Sequence, residues 1–261
     1  MIIGQEIICN KIDKSTLDTF PRTLMLIGAQ GAGKHLICSY VADKFNLMQL
    51  DITDEISLEL IDEISQRVEP YLYLIRVNEL SIKEQNIILK FLEEPLANSF
   101  IVLLAEATGD ILDTVMNRCQ KWYLQNYNKE FLKTFTDNED VLKICTTPGQ
   151  IKALIDSDFT EMLTLASKII QKIASANLPN VMTIPSKIGF KSERGKIDPK
   201  LFIQILVSCF RDEWLSNNNK NLIDAYKLTE KLAADSRIKN IDLKYLFDKY
   251  LIEVREIMRR S

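Results

Sequence analysis

Histidine is almost absent from this chain of 261 residues: His35 is the only one. That excludes any mechanism needing two imidazoles. Cysteine is sparse and scattered, with Cys9, Cys38, Cys119, Cys145 and Cys209 far apart and no CxxC pair. The five therefore outline neither a zinc motif nor a disulfide framework, and read as reduced thiols of a cytoplasmic protein. No apolar run reaches the ~18 residues that a membrane helix needs, and no basic-then-apolar start marks a signal peptide. Only 8 glycines and 7 prolines, with 46% apolar and 26% charged residues, exclude a collagenous or disordered chain.

A strong charge of one sign is also lacking. The net charge of −3 rules out a basic nucleic-acid module as a description of the whole chain. Residues 1–127 carry −7 and residues 128–261 carry +4, a split that ordinary solvated surface would also produce. At ~100–200 residues per domain, the length allows one to three domains.

What is present is an alternation. Short apolar runs at Thr23–Ile27, Leu47–Leu50, Tyr71–Ile75, Phe100–Leu104 and Lys121–Leu124 read as strands, the first four as strands buried on both faces. Between them lie helix-period stripes: Leu36, Ile37, Tyr40, Val41 and Phe45; Ile61, Ile64 and Val68; Ile87, Ile88, Phe91 and Leu92, with Pro95 soon after. Strand–helix alternation predicts an α/β module with a parallel sheet covered by helices. After about Asn126 strand signals stop. Phe131–Phe135, Val141–Cys145 and Ile151–Ile155 read as short helices, and Met162, Leu165, Ile169, Ile170 and Ile173 as one stripe of a longer helix. Asn177–Lys200, with Pro179, Pro185, Gly189, Gly195 and Pro199, reads as a loop. Leu201–Leu215, Leu222–Ala234 and Ile241–Met258 read as three more helices. The expected division is 1–125 for the α/β domain, 126–157 for a small helical domain and 158–261 for a larger helical one.

The strongest chemical signal is Gly28-Ala-Gln-Gly31-Ala-Gly33-Lys34-His35, which follows one expected strand and opens a helix. Glycines at 28, 31 and 33 let several N–H groups face one concavity, and the helix start adds partial positive charge, so the segment reads as a phosphate loop. Lys34 would bridge the β- and γ-phosphates. The plain alternative is a glycine-rich turn without a ligand. His35 stands where such loops place Ser or Thr, because Mg²⁺ wants oxygen ligands in tight octahedral geometry. The strand Tyr71–Ile75 should end in Asp–Glu to hold Mg²⁺, and instead continues as Arg76-Val77-Asn78-Glu79. Two independent defects in one metal site argue against hydrolysis by this chain.

Asn86-Ile-Ile-Leu-Lys90-Phe-Leu-Glu93-Glu94-Pro95 resembles the N-A-L-L-K-x-L-E-E-P helix of bacterial DNA polymerase III clamp-loader subunits. Val115-Met-Asn117-Arg118-Cys119 resembles their S-R-C motif, with Asn117 in place of Ser. Ile2-Ile3-Gly4-Gln5 is similar to the segment beside the adenine pocket, and Thr147-Pro148-Gly149-Gln150 to the small second domain. Cys209–Leu215 looks like a collar helix of the delta-prime type. The resemblance implies an AAA+ module, a lid and an all-α collar, with nucleotide contacts at Gly28, Gly31, Gly33, Lys34 and His35. It further implies that Arg118 reaches across an interface to a neighbour's ATP, where a planar, permanently charged fork can stabilise charge on the γ-phosphate. For Arg118 the alternative is a surface arginine in a salt bridge.

The family's cysteine-rich zinc insertion is missing. The first-sensor position falls near Ala105 or Glu106, and the second-sensor arginine is replaced at about Gly149. Losing the machinery that acts in cis while keeping the arginine that acts in trans is the pattern of delta-prime, which does not hydrolyse ATP. The resemblance then implies no required cofactor, ATP or ADP as the occupant of a degenerate phosphate loop, and no zinc. It implies a gamma/tau-type ATPase, a delta-type subunit, a sliding clamp and primer–template DNA as partners in the assembled complex, and no membrane. The other readings are a divergent gamma/tau-type ATPase using an acid such as Glu79, and an AAA+-derived scaffold outside replication.

Overall fold

The computed structural model describes residues 4–94, 99–157, 159–188, 199–217, 219–236 and 241–260. Ile2, Ile3, Pro95, Gly189 and Gly195, cited above, lie outside them. The chain packs as two compact units, Met1–Phe135 with Thr146–Gln150, and Thr136–Cys145 with Ile151–Ser261.

The first unit is built on five parallel strands: β1 (Thr23–Ile27), β2 (Met48–Asp51), β3 (Tyr71–Arg76), β4 (Phe100–Ala105) and β5 (Gln120–Tyr123), in the order β2-β3-β4-β1-β5. The strand alternation sorts two cores. Leu24, Leu26, Leu72, Leu74, Phe100, Val102 and Leu104 face one side, with α1 (Glu6–Lys14) and α2 (Lys34–Phe45). Met25, Ile27, Tyr73, Ile75, Ile101 and Leu103 face the other, with α3 (Leu58–Ser65), α4 (Ile82–Glu93) and α5 (Asp113–Met116). Burying strands on both faces explains why β1, β3 and β4 are nearly continuous apolar runs.

The parallel sheet matches the expectation, and β1 has the expected bounds. β2 is a correction. Its residues are mostly exposed, with Met48 at 47%, because it is an edge strand with a neighbour on one side only. Leu36 and Val68, expected on buried stripes, are exposed as well. Val68 lies beyond the end of α3, capped at Gln66, so helical spacing no longer applies to it.

α6 (Lys129–Leu132), α7 (Glu139–Ile144) and α8 (Pro148–Ile155) follow the sheet. The second unit then runs through α9 (Phe159–Lys172), α10 (Leu178–Val181), α11 (Ile184–Lys187), α12 (Pro199–Asn217), α13 (Lys220–Asp235) and α14 (Leu243–Arg259). The expected loop after Asn177 is thus partly helical. Asn177 caps α10 through the N–H of Asn180, and Pro179 and Pro185 occupy first-turn positions, where a missing N–H costs nothing. Met162, Ile169, Phe202, Phe210, Phe247 and Val254 are buried within this unit. The Thr229 hydroxyl donates to the carbonyl of Ala225 (2.7 Å), so at 2.9 Å the Tyr250 hydroxyl donates to Thr229. Among the described residues no helix is long and apolar enough to cross a membrane.

Candidate functional site

The loop Gly28–Gly33 joins β1 to α2, as the glycine pattern requires. Gly31 and Gly33 have φ of +77° and +96°, left-handed values that a side chain would strain. Every carbonyl of the loop accepts a hydrogen bond from the chain. Lys34 Nζ donates to Gly28 (2.5 Å) and Ala29 (3.1 Å), and Thr147 Oγ1 to Gln30 (2.8 Å). Gly149 N donates to Gly31 (3.1 Å), the Tyr127 hydroxyl to Ala32 (3.0 Å) and Ile37 N to Gly33 (3.0 Å). The N–H groups of the first turn of α2 have no helical carbonyl to reach, and Gly33 offers no side-chain cap. Burial lowers the pKa of Lys34, while Glu106 pulls it back up. His35, the next residue, is exposed.

Residues 147–150 lie directly on this loop. A Cβ on Gly149 would stand 2.5 Å from Gly31 Cα and 2.7 Å from its carbonyl oxygen. No side chain fits there, so position 149 has no room for a sensor arginine. The sequence reads Thr147–Gln150 only as similar to the small second domain, which gives no sign of this contact. Gln5 is fully buried and grips Gln125 at both backbone atoms: its amide donates to the Gln125 carbonyl (3.0 Å), and its Oε1 accepts from Gln125 N (2.8 Å).

At the end of β3, Arg76 is paired with three carboxylates: Asp51 (2.8 Å), Asp54 (3.1 Å) and Glu79 (3.1 Å). Burial alone would lower its pKa, but these carboxylates raise it. Glu79 is thus turned to an arginine. Asn78 accepts from Glu106 N (2.7 Å) and donates to the carbonyl of Ala107 (2.8 Å), which fixes the segment after β4 where a first sensor would stand.

Arg118 sits in the turn between α5 and β5. Its carbonyl accepts from Thr23 Oγ1 (2.6 Å), at the start of β1. Its guanidinium donates to Glu93 from Nε (2.8 Å) and from Nη2, and to the carbonyl of Thr114 from Nη1 (2.7 Å). It is therefore in a salt bridge, at one-third exposure. Thr23 begins β1 and the loop Gly28–Gly33 follows its end at Ile27, so five residues of strand, roughly 16 Å at the usual rise, separate that loop from the backbone at Arg118. The fold brings Gly28, Gly31, Gly33 and Lys34 together and keeps Arg118 at the other end of the sheet.

Residues 49–128 match the family model described as DNA polymerase III, delta subunit. Over 99 residues, 36% of this chain, the sequence is 27% identical to DNA polymerase III subunit delta' of Haemophilus influenzae. That match spans 30% of the relative's length. A DNA polymerase III gamma subunit-related protein of Thermotoga maritima is similar in structure at a TM-score of 0.53, with 15% identity, covering 98% of this chain and 100% of that one. A RuvB variant of the same organism follows at 0.52, with 15% identity, covering 96% and 88%. Such low identity speaks for the fold alone, a parallel α/β module followed by further helices. The resemblance to delta-prime-type clamp-loader subunits, read from the motifs, is met by the family model and the Haemophilus relative.

Proposed function

We propose that the chain works as a delta-prime-type subunit of a DNA polymerase III clamp loader, does not hydrolyse ATP itself, and lends Arg118 to the ATP site of a neighbouring gamma/tau-type subunit. The separation of Arg118 from Lys34 along β1 carries this reading. The backbone at Arg118 lies a strand's length, roughly 16 Å, from the loop of its own chain, and its guanidinium is turned to Glu93 and the Thr114 carbonyl, so it suits a phosphate on another chain better than one on its own. Three further features support inactivity in cis. Arg76, bound to three carboxylates, stands where a metal-binding acid belongs. His35 replaces the Mg²⁺-binding hydroxyl, and Gly149 leaves no room for a sensor arginine. ATP or ADP in the loop would then be a passive occupant held by Gly28, Gly31, Gly33, Lys34 and His35.

In this reading the helical region packs against other clamp-loader subunits, including one of the delta type. The assembly opens a sliding clamp in the cytoplasm and places it on primer–template DNA. The test is reconstitution with the matching ATPase subunit, clamp and primed DNA. Arg118→Ala should lower hydrolysis by ~10³-fold, as for other arginine fingers. Unchanged hydrolysis overturns the role.

One observation favours a second reading, a divergent gamma/tau-type ATPase. Lys34 is held by Gly28 and Ala29 above a loop whose helix start has spare donors. Phosphate release by the isolated chain, abolished by Lys34→Ala, would decide for it.

A further inference from the structure

We infer that Glu93 is the positioning residue for Arg118, aiming its guanidinium at the neighbour's phosphate; this rests on the function proposed above. A guanidinium has five N–H donors. Glu93 Oε1 takes one from Nε and one from Nη2, and the carbonyl of Thr114 takes one from Nη1. Among the described residues these are the bonds it makes, so one N–H is left over on each of Nη1 and Nη2, at a side chain still one-third exposed. Two donors on one rigid plane suit a phosphate oxyanion.

The backbone beneath the side chain is held as firmly. Thr23 binds the carbonyl of Arg118. Gln85, buried on α4, donates to the carbonyl of Asp110 (3.0 Å) and accepts from Leu112 N (2.9 Å), fixing the residues that lead into α5 and Thr114. α4 thus controls Arg118 from both ends, through Gln85 near its start and Glu93 as its last residue. Its start is set by a capping box between Ser81 and Glu84.

The placement of Glu93 runs against local preference. A carboxylate on the last turn of a helix faces the negative end of the helix dipole. A residue that breaks the local rule is where function is to be sought, and here the cation that compensates it is Arg118. An exposed ion pair contributes little to stability, so orientation is what this one supplies.

The test uses the reconstituted complex with ATP, clamp and primed DNA, and measures kcat and KM for ATP together with the melting temperature of each variant. Glu93→Ala should lower kcat roughly 10-fold or more, as misplacement of a catalytic group does, with KM and melting temperature unchanged. Glu93→Gln, which keeps shape but not charge, should fall between Glu93→Ala and the unaltered chain, and Glu93→Asp should recover part of the rate. In an Arg118→Ala background, Glu93→Ala should cost nothing more. An equal loss in that background would overturn the inference, since Glu93 would then act by another route. So would an unchanged kcat in both Glu93→Ala and Glu93→Gln while Arg118→Ala is slow. If Arg118→Ala itself is fast, the reading of Arg118 fails and the role of Glu93 with it.

Discussion

A single pair of glycines fixes how residues 147–150 lie on the loop between β1 and α2. Gly31 and Gly149 touch through their backbones, and Gly149 N donates to the Gly31 carbonyl. The first glycine was legible as part of a loop motif. The second was legible only within the resemblance of Thr147–Gln150 to the small second domain, because its partner lies more than a hundred positions earlier in the chain. Gly149→Ala should therefore destabilise the first unit by about 1–3 kcal/mol, the usual cost of forcing atoms into a filled space, read as a lower urea midpoint. An unchanged midpoint would mean the two segments can separate without loss. Arg118 gives the same lesson. Its motif named it as a chemical group, but neither Glu93 nor the Thr114 carbonyl was foreseen. An ion pair between the end of one helix and the turn after another leaves no periodic trace.

Among the elements, the buried strands were the most legible. β1, β3 and β4 have neighbours on both sides and helices on both faces, so nearly all their residues had to be apolar. β2 misled because a run with apolar ends can also lie at an edge, where only one side is covered. The segment after Asn177 misled in the opposite direction. Three prolines and two glycines suggested a loop, although a proline in the first turn, as at Pro179 and Pro185, starts a helix as readily as it ends one. α4 is the element on which the site depends, and its start is fixed by the Ser81 hydroxyl and the Glu84 carboxylate. Ser81→Ala should cost about 1 kcal/mol of stability, measured by thermal unfolding. If Gln85 and Glu93 act through this helix, the same variant should also slow the reconstituted complex more than an exposed substitution of equal thermal cost.

At the scale of the molecule, the sheet keeps the loop Gly28–Gly33 and Arg118 apart, and that spacing underlies the proposed division of labour between subunits. Burial of thiols is distributed over both units. Cys38 and Cys119 in the first and Cys145 in the second are each pushed up to about 12, chiefly by burial. A thiol with a raised pKa in the folded state keeps its proton there, while the unfolded chain releases it from about pH 9. The contribution of these thiols to stability should therefore be constant at neutral pH and fall as pH rises from 9 towards 12. Urea unfolding across that range checks the sign; a rise in stability would contradict the burial of these thiols. The same shift predicts slow labelling by a thiol reagent at pH 8 until the chain unfolds, since the thiolate is the reactive form.

The sequence by itself determined the parallel α/β architecture, the glycine-rich loop between β1 and α2 and the motif around Arg118. These rest on spacing within a single segment, where strand and helix periods and backbone freedom are written directly in residue order. Only the tertiary structure decided that Gly149 closes on Gly31, that Arg76 gathers Asp51, Asp54 and Glu79, and that Glu93 holds Arg118. Those contacts join segments from different parts of the chain, and their partners are chosen by where the sheet and α4 place them.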